Sequence, residues 1–204
     1  APGAPRRIGL FVFPWGVTCM VDHSDSRIRV GILTVSDRSY AGERKDLSGP
    51  AVASALREGW PTGAQADNRE AVLIEIAVVP DEREQIAAQL IEWCDVYSFD
   101  LIFTTGGTGF APRDVTPEVT RSLFDREAPG LAEAIRAESL RVTAHAMLSR
   151  GVAGIRKRTL IVNLPGSPRG AVESLGVILP VLPHAVELLR EDSAAESHHR
   201  SPVA

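Results

Sequence analysis

The chain has 204 residues, with a hydrophobic content of 44% and a charged content of 24%, which are the proportions of a soluble globular protein. Its net charge of −4 is the opposite of the basic balance that nucleic-acid-binding domains show, so we expect no nucleic-acid partner. Cys19 and Cys94 are the only cysteines and lie far apart, which predicts neither a disulfide framework nor a zinc site. This cysteine usage fits a reducing compartment, and we expect a cytoplasmic location.

Residues 1–26 form a flanking segment to which the sequence assigns no role. The apolar run from Ile8 to Val21 follows two arginines, as in a signal peptide, but it is too short to span a bilayer and no small-residue cleavage site follows. We expect an extra strand or a docked tail here, and no association with a membrane. One domain is predicted over residues 27–190, and a flexible tail over residues 191–204.

Strand and helix patterns alternate along this domain. Apolar runs predict strands over residues 27–35, 71–79, 101–103 and 159–164. Helical periodicity and capping signals predict helices over residues 50–59, 81–94 and 129–142, a further helix beginning at Thr116, and a helical stretch from 168 to about 190. The alternation favours an α/β layer sandwich with a mainly parallel sheet. The predicted core side chains are Trp60, Ile86, Leu90, Trp93, Leu131, Ile135 and Leu140.

Polar segments follow the predicted strands at the ends where parallel α/β sheets bind ligands. These segments are Ser36-Asp37 with the loop to Gly49, Pro80 to Glu82, Gly106 to Asp114, and Asn163 to Pro168. Because the carboxyl ends of parallel strands meet at one edge of the sheet, the four segments predict a single ligand site.

The third of these segments is a glycine loop. Gly106, Gly107 and Gly109 leave the main chain free of Cβ atoms, so its N–H groups can approach an anion closely. Neither a Walker sequence nor a dinucleotide fingerprint is present, and a tight turn between strand and helix is the alternative. Thr116 and the proline after it predict an N-cap and the first turn of a helix.

Two carboxylates, Asp81 and Asp114, are predicted at adjacent strand ends beside the glycine loop, where they would suit a hydrated Mg²⁺ that bridges phosphates. Each has a structural alternative. Asp81 is also placed to cap the helix that follows it, and Asp114 to form a salt bridge with Arg113. Two further stretches, Ser149-Arg150 and Gly154 to Arg156, suit recognition of phosphate or sulfur-bearing groups, or a solvated surface.

Several ordered motifs between Arg27 and Arg190 resemble the molybdopterin adenylyltransferase family, especially the G domain of gephyrin-type molybdenum-cofactor proteins. The motifs are TVSDRSYAGERKDLSGP, VVPDE, TTGGTGFAPRDVTPE, EAPGLAEAIRAESL and AMLSRGVAGIRKRTLIVNLPGSP. The resemblance implies a three-layer α/β/α sandwich, a homotrimer, and adenylylation of molybdopterin with ATP and Mg²⁺. It places the catalytic and metal-binding carboxylates at Asp81 and Asp114.

Together with the strand-end argument, the resemblance gives a set of predicted substrate- and nucleotide-binding residues. They are Ser36, Asp37, Ser48, Gly49, Gly106, Gly107, Thr108, Gly109, Arg113, Ser149, Asn163, Pro165, Gly166 and Ser167. The resemblance also suggests a functional link to a molybdate-insertion domain. The alternatives are the related molybdate-insertion domain itself, a trimeric molybdopterin-binding scaffold without catalysis, and a pterin-binding homologue that lacks the catalytic step. The intact glycine and Arg-Asp-Val-Thr-Pro-Glu motifs favour the adenylyltransferase.

Overall fold

The computed structural model describes residues 8–12, 18–22, 27–61 and 71–190. The strands are β1 (Ile8–Val12), β2 (Thr18–Asp22), β3 (Ile28–Val35), β4 (Val72–Val79), β5 (Leu101–Thr105), β6 (Arg126–Glu127), β7 (Ala153–Arg156) and β8 (Thr159–Leu164). The α-helices are α1 (Asp37–Tyr40), α2 (Ser48–Gly59), α3 (Arg83–Ile91), α4 (Thr116–Ser122), α5 (Pro129–Leu140), α6 (Pro168–Ile178) and α7 (Leu182–Leu189). A π-helical turn, Glu92–Val96, extends α3, and 3₁₀ turns occupy Ala144–Leu148 and Leu179–Val181.

Six strands form one mixed sheet in the order β4-β3-β5-β8-β7-β6. The four strands from β4 to β8 are parallel to one another, whereas β7 and β6 are added antiparallel at one edge. β1 and β2 pair antiparallel in a separate two-stranded sheet. The flanking segment therefore contains two strands where the sequence predicted an extra strand or a docked tail. The predicted C-terminal tail lies outside the described residues.

The sheet buries both of its faces because alternate residues of its central strands point to opposite sides. On one face, Val30 and Phe103 pack with α2, α5, α6 and α7. On the other face, Leu33 and Ile102 pack with α3 and α4. Helices thus cover both sides, and the three-layer α/β/α sandwich with a mainly parallel sheet is confirmed.

Trp93 anchors the α3 layer to the centre of the sheet. Its indole lies against Gly31 so closely that a Cβ atom at Gly31 would come within 2.5 Å of the ring, and it stacks on Phe99 with 5.4 Å between ring centroids. Trp93 is fully buried, as predicted, and it lies in the π-helical turn that extends α3. Trp60 is buried on the opposite face, also as predicted.

Three sequence-based predictions differ from the fold. The stretch from Gly154 to Arg156, predicted as ligand-recognising or solvated, belongs to strand β7, and Arg156 pairs with Asp95. Helix α5 ends at Leu140, and Leu140 is 45% exposed, so its predicted core position is wrong. The two other core predictions in α5 hold, because Ile135 is buried and Leu131 packs against the same core.

The C-terminal helical stretch, Pro168–Leu189, is the part of the described chain that is long and apolar enough to cross a membrane by length and composition. Its inward face packs in the core beside α2, since Leu175, Ile178, Leu182 and Val186 are buried there. The stretch therefore consists of two helices that pack in the core and are joined by a 3₁₀ turn.

Candidate active site

The carboxyl ends of four parallel strands lie level with one another. Val35 of β3 pairs with Val79 of β4, and Thr34 pairs with Thr105 of β5. Thr105 in turn pairs with Leu164 of β8. The segments that follow these strands therefore leave the sheet at a common edge, as the sequence predicted.

The glycine loop approaches its neighbours at distances that only glycine permits. Gly106 has a φ of +103°, and a Cβ atom there would lie 2.2 Å from the carbonyl oxygen of Val35. Gly107 has a φ of +61°, and its Cβ would lie 2.3 Å from Thr116 Oγ1 and 3.1 Å from Asp81 Oδ1. The main-chain N–H groups of Gly107 and Gly109 make no hydrogen bond to other residues in the part of the chain that is described. The loop therefore presents free main-chain donors, as anion-binding loops do, and the Asp81 carboxylate beside it suits a cation that would accompany the anion.

Asp81 and Asp37 hold each other through two reciprocal hydrogen bonds. The main-chain N–H of Asp37 donates to Asp81 Oδ2 at 2.9 Å, and the main-chain N–H of Asp81 donates to Asp37 Oδ1 at 3.0 Å. Helix α3 begins after Glu82, and its first turn receives no hydrogen bond from a capping side chain. The alternative that Asp81 caps this helix is therefore wrong. The reciprocal pair instead fixes the Asp81 carboxylate and leaves its Oδ1 atom facing Gly107.

Arg113 stabilises this pair by binding the carboxylate of Asp37. Its Nε and Nη2 atoms donate to the two carboxylate oxygens of Asp37 at 2.7 and 3.0 Å, and Nη2 also donates to Glu82 at 2.9 Å. The alternative in which Arg113 pairs with Asp114 is not what the structure shows. Arg113 joins the segment after the glycine loop to the segments after β3 and β4, and its role in binding substrate stays a prediction.

Asp114 is held by a local turn. Its Oδ2 atom accepts the main-chain N–H of Ala111 at 3.0 Å, and a Cβ atom at Gly109 would lie 2.9 Å from the same oxygen. The N-cap of α4 is Val115 and not Thr116, which is the first helical residue. Thr116 Oγ1 is buried beside Gly107 and has no hydrogen-bond partner among the described residues.

Two carboxylates at this edge could serve as ligands of a Mg²⁺ ion. Asp81 and Asp114 line one cleft, each with one carboxylate oxygen that accepts no hydrogen bond from the described residues. The described residues contain no group of three or more His, Cys, Asp or Glu side chains that could hold a metal ion. Mg²⁺ commonly takes one or two carboxylates and completes its shell with water and phosphate oxygens, so this donor set suits a metal that arrives with a polyphosphate.

Two neighbouring clefts share the glycine loop. The carboxylate cleft, of about 220 Å³, contains Asp81 and Asp114 and five other predicted residues: Ser36, Ser48, Gly106, Gly107 and Gly166. The second cleft, which we call the α5 cleft, measures about 270 Å³ and contains Thr108, Gly109, Ser149, Pro165 and Ser167 from the predicted set. The residues of the single predicted site are therefore divided between two clefts, each of which includes residues of the glycine loop.

Four predicted residues line neither cleft, and the contacts of each explain why. Asp37 and Arg113 are occupied in the network around Asp81. Gly49 lies in the first turn of α2, packed against Thr34 and Asp46. Asn163 lies in β8 and is 4% exposed.

The side chain of Asn163 is turned into the protein. Its amide donates to the hydroxyls of Thr104 at 2.8 Å and Thr120 at 3.1 Å, and its Oδ1 accepts the N–H of Val152 at 3.2 Å. All three contacts are buried, so the side chain connects β5, β8 and α4. The binding role predicted for Asn163 is replaced by a structural one.

Two residues that support the site were not among the predicted residues. Asp46 Oδ1 accepts the N–H groups of Ser48 and Gly49 at the start of α2, and Asp46 Oδ2 accepts the hydroxyl of Thr34 at 2.9 Å. Arg150, which was considered for phosphate binding, instead donates to the carbonyl oxygens of Gly109 and Asp114. An aspartate two residues before a helix is a recognisable signal for Asp46, whereas the contacts of Arg150 span more than thirty positions and leave no local pattern.

The electrostatics of the reciprocal pair are asymmetric. Burial raises the pKa of Asp81, and the nearby carboxylates of Asp37 and Asp114 act in the same direction, against the N–H of Asp37. The hydrogen bond from Arg113 lowers the pKa of Asp37, and the N–H of Asp81 adds to this effect. Folding therefore disfavours the ionised form of Asp81, and carboxylates with perturbed pKa values are common at functional sites.

The close approach of Gly107 predicts a difference between two glycines with similar backbone angles. Gly42 has a φ of +74° with open space around its Cβ position, so Gly42→Ala should lose only the left-handed backbone preference, about 1 kcal/mol. Gly107→Ala adds the clash with Thr116 Oγ1 and should lower the free energy of unfolding by about 3 kcal/mol. Urea denaturation of both variants measures this difference. Equal losses would mean that the loop is an ordinary turn.

The opposite pKa shifts of Asp81 and Asp37 predict opposite stability effects. A carboxylate whose pKa is raised by folding stabilises the folded state below its unfolded pKa and loses that contribution as pH rises through the folded pKa. Asp81→Asn should therefore raise the melting temperature at pH 7.5, and the gain should shrink as pH falls towards about 4. The ionised form of Asp37 is the stabilising one, so Asp37→Asn should lower the melting temperature at pH 7.5 and match the parent more closely at acid pH. Shifts of the same sign at pH 7.5 would refute this electrostatic account.

Comparison with known proteins connects this geometry to a family. A family model described as a probable molybdopterin binding domain matches residues 31–184. Molybdopterin adenylyltransferase from Helicobacter pylori strain J99 is 41% identical over 162 residues, which cover 79% of this chain and 88% of that protein. The molybdopterin biosynthesis enzyme MoaB from Thermus thermophilus has a solved structure with 53% identity and a TM-score of 0.71, covering 81% of this chain and 98% of that one.

Gephyrin from Dictyostelium discoideum is 44% identical over 172 residues, which cover 83% of this chain and 24% of gephyrin. The chain thus spans about a quarter of the length of gephyrin, and about a quarter of the similarly matched molybdenum cofactor synthesis protein cinnamon from Drosophila melanogaster. Because the family model covers most of the domain that carries the glycine loop and both carboxylates, this chain belongs to the molybdopterin-binding domain family of molybdenum cofactor biosynthesis.

Proposed function

We propose that this chain is a molybdopterin adenylyltransferase, which transfers AMP from ATP to the terminal phosphate of molybdopterin and releases pyrophosphate. The observation that carries the proposal is the meeting of Asp81, Asp114 and the glycine loop in one cleft, beside a second cleft that shares the loop. Relatives named molybdopterin adenylyltransferase support the same activity.

The two clefts divide the substrates between them. The carboxylate cleft suits the phosphates of ATP, because its carboxylates can hold a phosphate-bound Mg²⁺. The α5 cleft combines apolar side chains such as Ile135 and Val142 with the polar side chains of Arg136 and Ser139. A mixed lining of this kind suits a heterocyclic ring with polar edges, so we assign the pterin to this cleft.

The chemistry needs no nucleophile from the protein. A terminal phosphate oxygen of molybdopterin attacks the α-phosphorus of ATP, the new P–O bond forms, and the bond between the α-phosphorus and the oxygen bridging to the β-phosphate breaks. The electron pair of that bond leaves with pyrophosphate. A bound Mg²⁺ would supply positive charge that offsets the charge of the phosphates.

The protein contributes alignment of two anions that repel each other. The unpaired N–H groups of Gly107 and Gly109 can donate to phosphate oxygens where the two clefts meet. The Asp37–Asp81 pair and Arg113 fix one carboxylate before substrate arrives. Donors that are already in place act on the transition state without a cost of reorganisation.

A molybdopterin-binding scaffold without catalysis is the second candidate, and the match to part of gephyrin is the observation in its favour. The carboxylate cleft favours the enzyme, since a scaffold has no need of a carboxylate whose ionised form costs stability. We also propose that the chain forms a homotrimer and has a functional link to a molybdate-insertion domain, both on the basis of its resemblance to gephyrin-type proteins. We propose a cytoplasmic location on the basis of its cysteine usage.

Asp114→Asn should separate catalysis from folding and pterin binding. The amide preserves the shape and the turn with Ala111 but not the charge that a hard cation requires. We expect product formation from molybdopterin, ATP and Mg²⁺ to fall about a hundredfold or more, with nearly unchanged melting temperature and molybdopterin affinity. Mass detection of adenylylated molybdopterin gives the rate.

The control for this variant is Glu133→Gln, which removes one charge from an exposed position of α5 that lines neither cleft. It should react at the rate of the parent. An Asp114→Asn variant that forms product within a few-fold of the parent at saturating Mg²⁺ would overturn the catalytic assignment. A parent protein that binds molybdopterin and ATP but forms no adenylylated product would favour the scaffold.

A further inference from the structure

The loop between α1 and α2 brings two cations to the carboxylate cleft. Arg44 and Lys45 line this cleft together with the glycine loop and the carboxylates. The main chain around them is fixed, because the N–H groups of Glu43 and Arg44 both donate to the carbonyl oxygen of Arg38, at 2.9 and 3.1 Å. Asp46 anchors the following residues to the start of α2. The two side chains therefore extend from a segment whose main chain is held by hydrogen bonds on both sides.

Arg44 and Lys45 differ from Arg113 and Arg150, whose side chains are both held by other residues of the fold. Arg113 is occupied by Asp37 and Glu82, and Arg150 by Glu118 and two carbonyl oxygens. In the described ranges, neither the Arg44 guanidinium nor the Lys45 ammonium forms a hydrogen bond or an ion pair. Both side chains are exposed. They are positive charges held at the cleft and available to a ligand.

The charges of the cleft point to a polyphosphate. Asp46 is committed to main-chain N–H groups and to Thr34, so it does not neutralise the neighbouring cations through direct contact. Asp81 and Asp114 suit a metal ion that is itself carried by phosphate oxygens. In a ligand with several adjacent phosphates, some phosphate oxygens would bind the metal ion and others would bind Arg44 and Lys45.

We propose that Arg44 and Lys45 bind the β- and γ-phosphates of the nucleotide and hold them as pyrophosphate when the bond to the α-phosphorus breaks. This inference rests on the proposed function, and it names the residues that recognise the leaving group. Negative charge grows on the oxygen that bridges the α- and β-phosphates as that bond breaks, so cations placed on the leaving side stabilise the transition state. The terminal phosphate of molybdopterin is the other source of similar chemistry.

Calorimetric titration without molybdopterin tests the assignment. The double variant Arg44→Gln/Lys45→Gln, titrated in the presence of Mg²⁺ with ATP, inorganic pyrophosphate or AMP, should lose about tenfold or more in affinity for ATP and pyrophosphate. Affinity for AMP, which lacks the β- and γ-phosphates, should change less than about threefold. The matched control Arg38→Gln/Arg57→Gln removes two exposed charges that do not line the carboxylate cleft, and it should bind all three ligands as the parent does. A thermal melt accompanies each titration.

Three results would overturn the inference: unchanged ATP and pyrophosphate affinity in the folded double variant, equal losses for AMP, or equal losses in the control. A separate titration with molybdopterin distinguishes the sources of phosphate. Loss of molybdopterin affinity with ATP affinity intact would assign the cations to molybdopterin and overturn the nucleotide assignment. These measurements need no turnover, so a protein that forms no adenylylated product but shows the predicted ATP and pyrophosphate losses would contradict the proposed function and still support the assignment of Arg44 and Lys45 to the β- and γ-phosphates.

Discussion

The parallel pairing of β3 with both β4 and β5, continued from β5 to β8, is the constraint on which the site depends. It makes four strands end level with one another, so that residues far apart in sequence become neighbours. Ser36 donates its N–H to the carbonyl oxygen of Val79, and Asp37 and Asp81 then exchange hydrogen bonds across 44 positions. A shift of β3 against β4 by one residue would turn its side chains to the opposite faces and separate this pair.

The hydrogen bonds around the site divide its charged residues into two groups. Arg113 binds Asp37 and Glu82, and Arg150 binds a main-chain carbonyl oxygen. These contacts fix the loops. Asp81 and Asp114 each use one carboxylate oxygen for support and leave the other available. The first group fixes the loops at this edge, and the second is the pair of carboxylates to which we assign the metal ion. Burial raises the pKa of Asp81, so folding disfavours the ionised form of this carboxylate.

The sequence was most informative where one short segment determines a structure. Leu101, Ile102 and Phe103 form a buried strand because a continuous apolar run has few other stable places in an α/β protein. The glycine loop and the carboxylates were also visible, since their chemistry depends on residue type. The helix begins at Thr116 as predicted, but its N-cap is Val115 and not Thr116, because Val115 takes the capping position without a side-chain hydrogen bond.

Contacts between distant residues explain what the sequence did not reveal. Asn163 looked like a ligand-binding side chain at a strand end, but Thr104 and Thr120, 59 and 43 positions away, bind it inside the protein. Strand β7 has only four residues and ends in Arg156, so it lacks the apolar run by which strands are recognised. The α5 cleft is lined in part by the 3₁₀ turn Ala144–Leu148, and no local pattern specifies where that turn packs.

The central claim is that Asp81 and Asp114 hold a metal ion together with the phosphates of a nucleotide. A crystal grown with Mn²⁺ in place of Mg²⁺ and a non-hydrolysable ATP analogue tests it through the anomalous scattering of manganese. We expect one anomalous peak in the carboxylate cleft, about 2 Å from an oxygen of Asp81 or Asp114 and from a phosphate oxygen. Bound nucleotide with no peak in this cleft, or a peak coordinated by neither carboxylate, would contradict it.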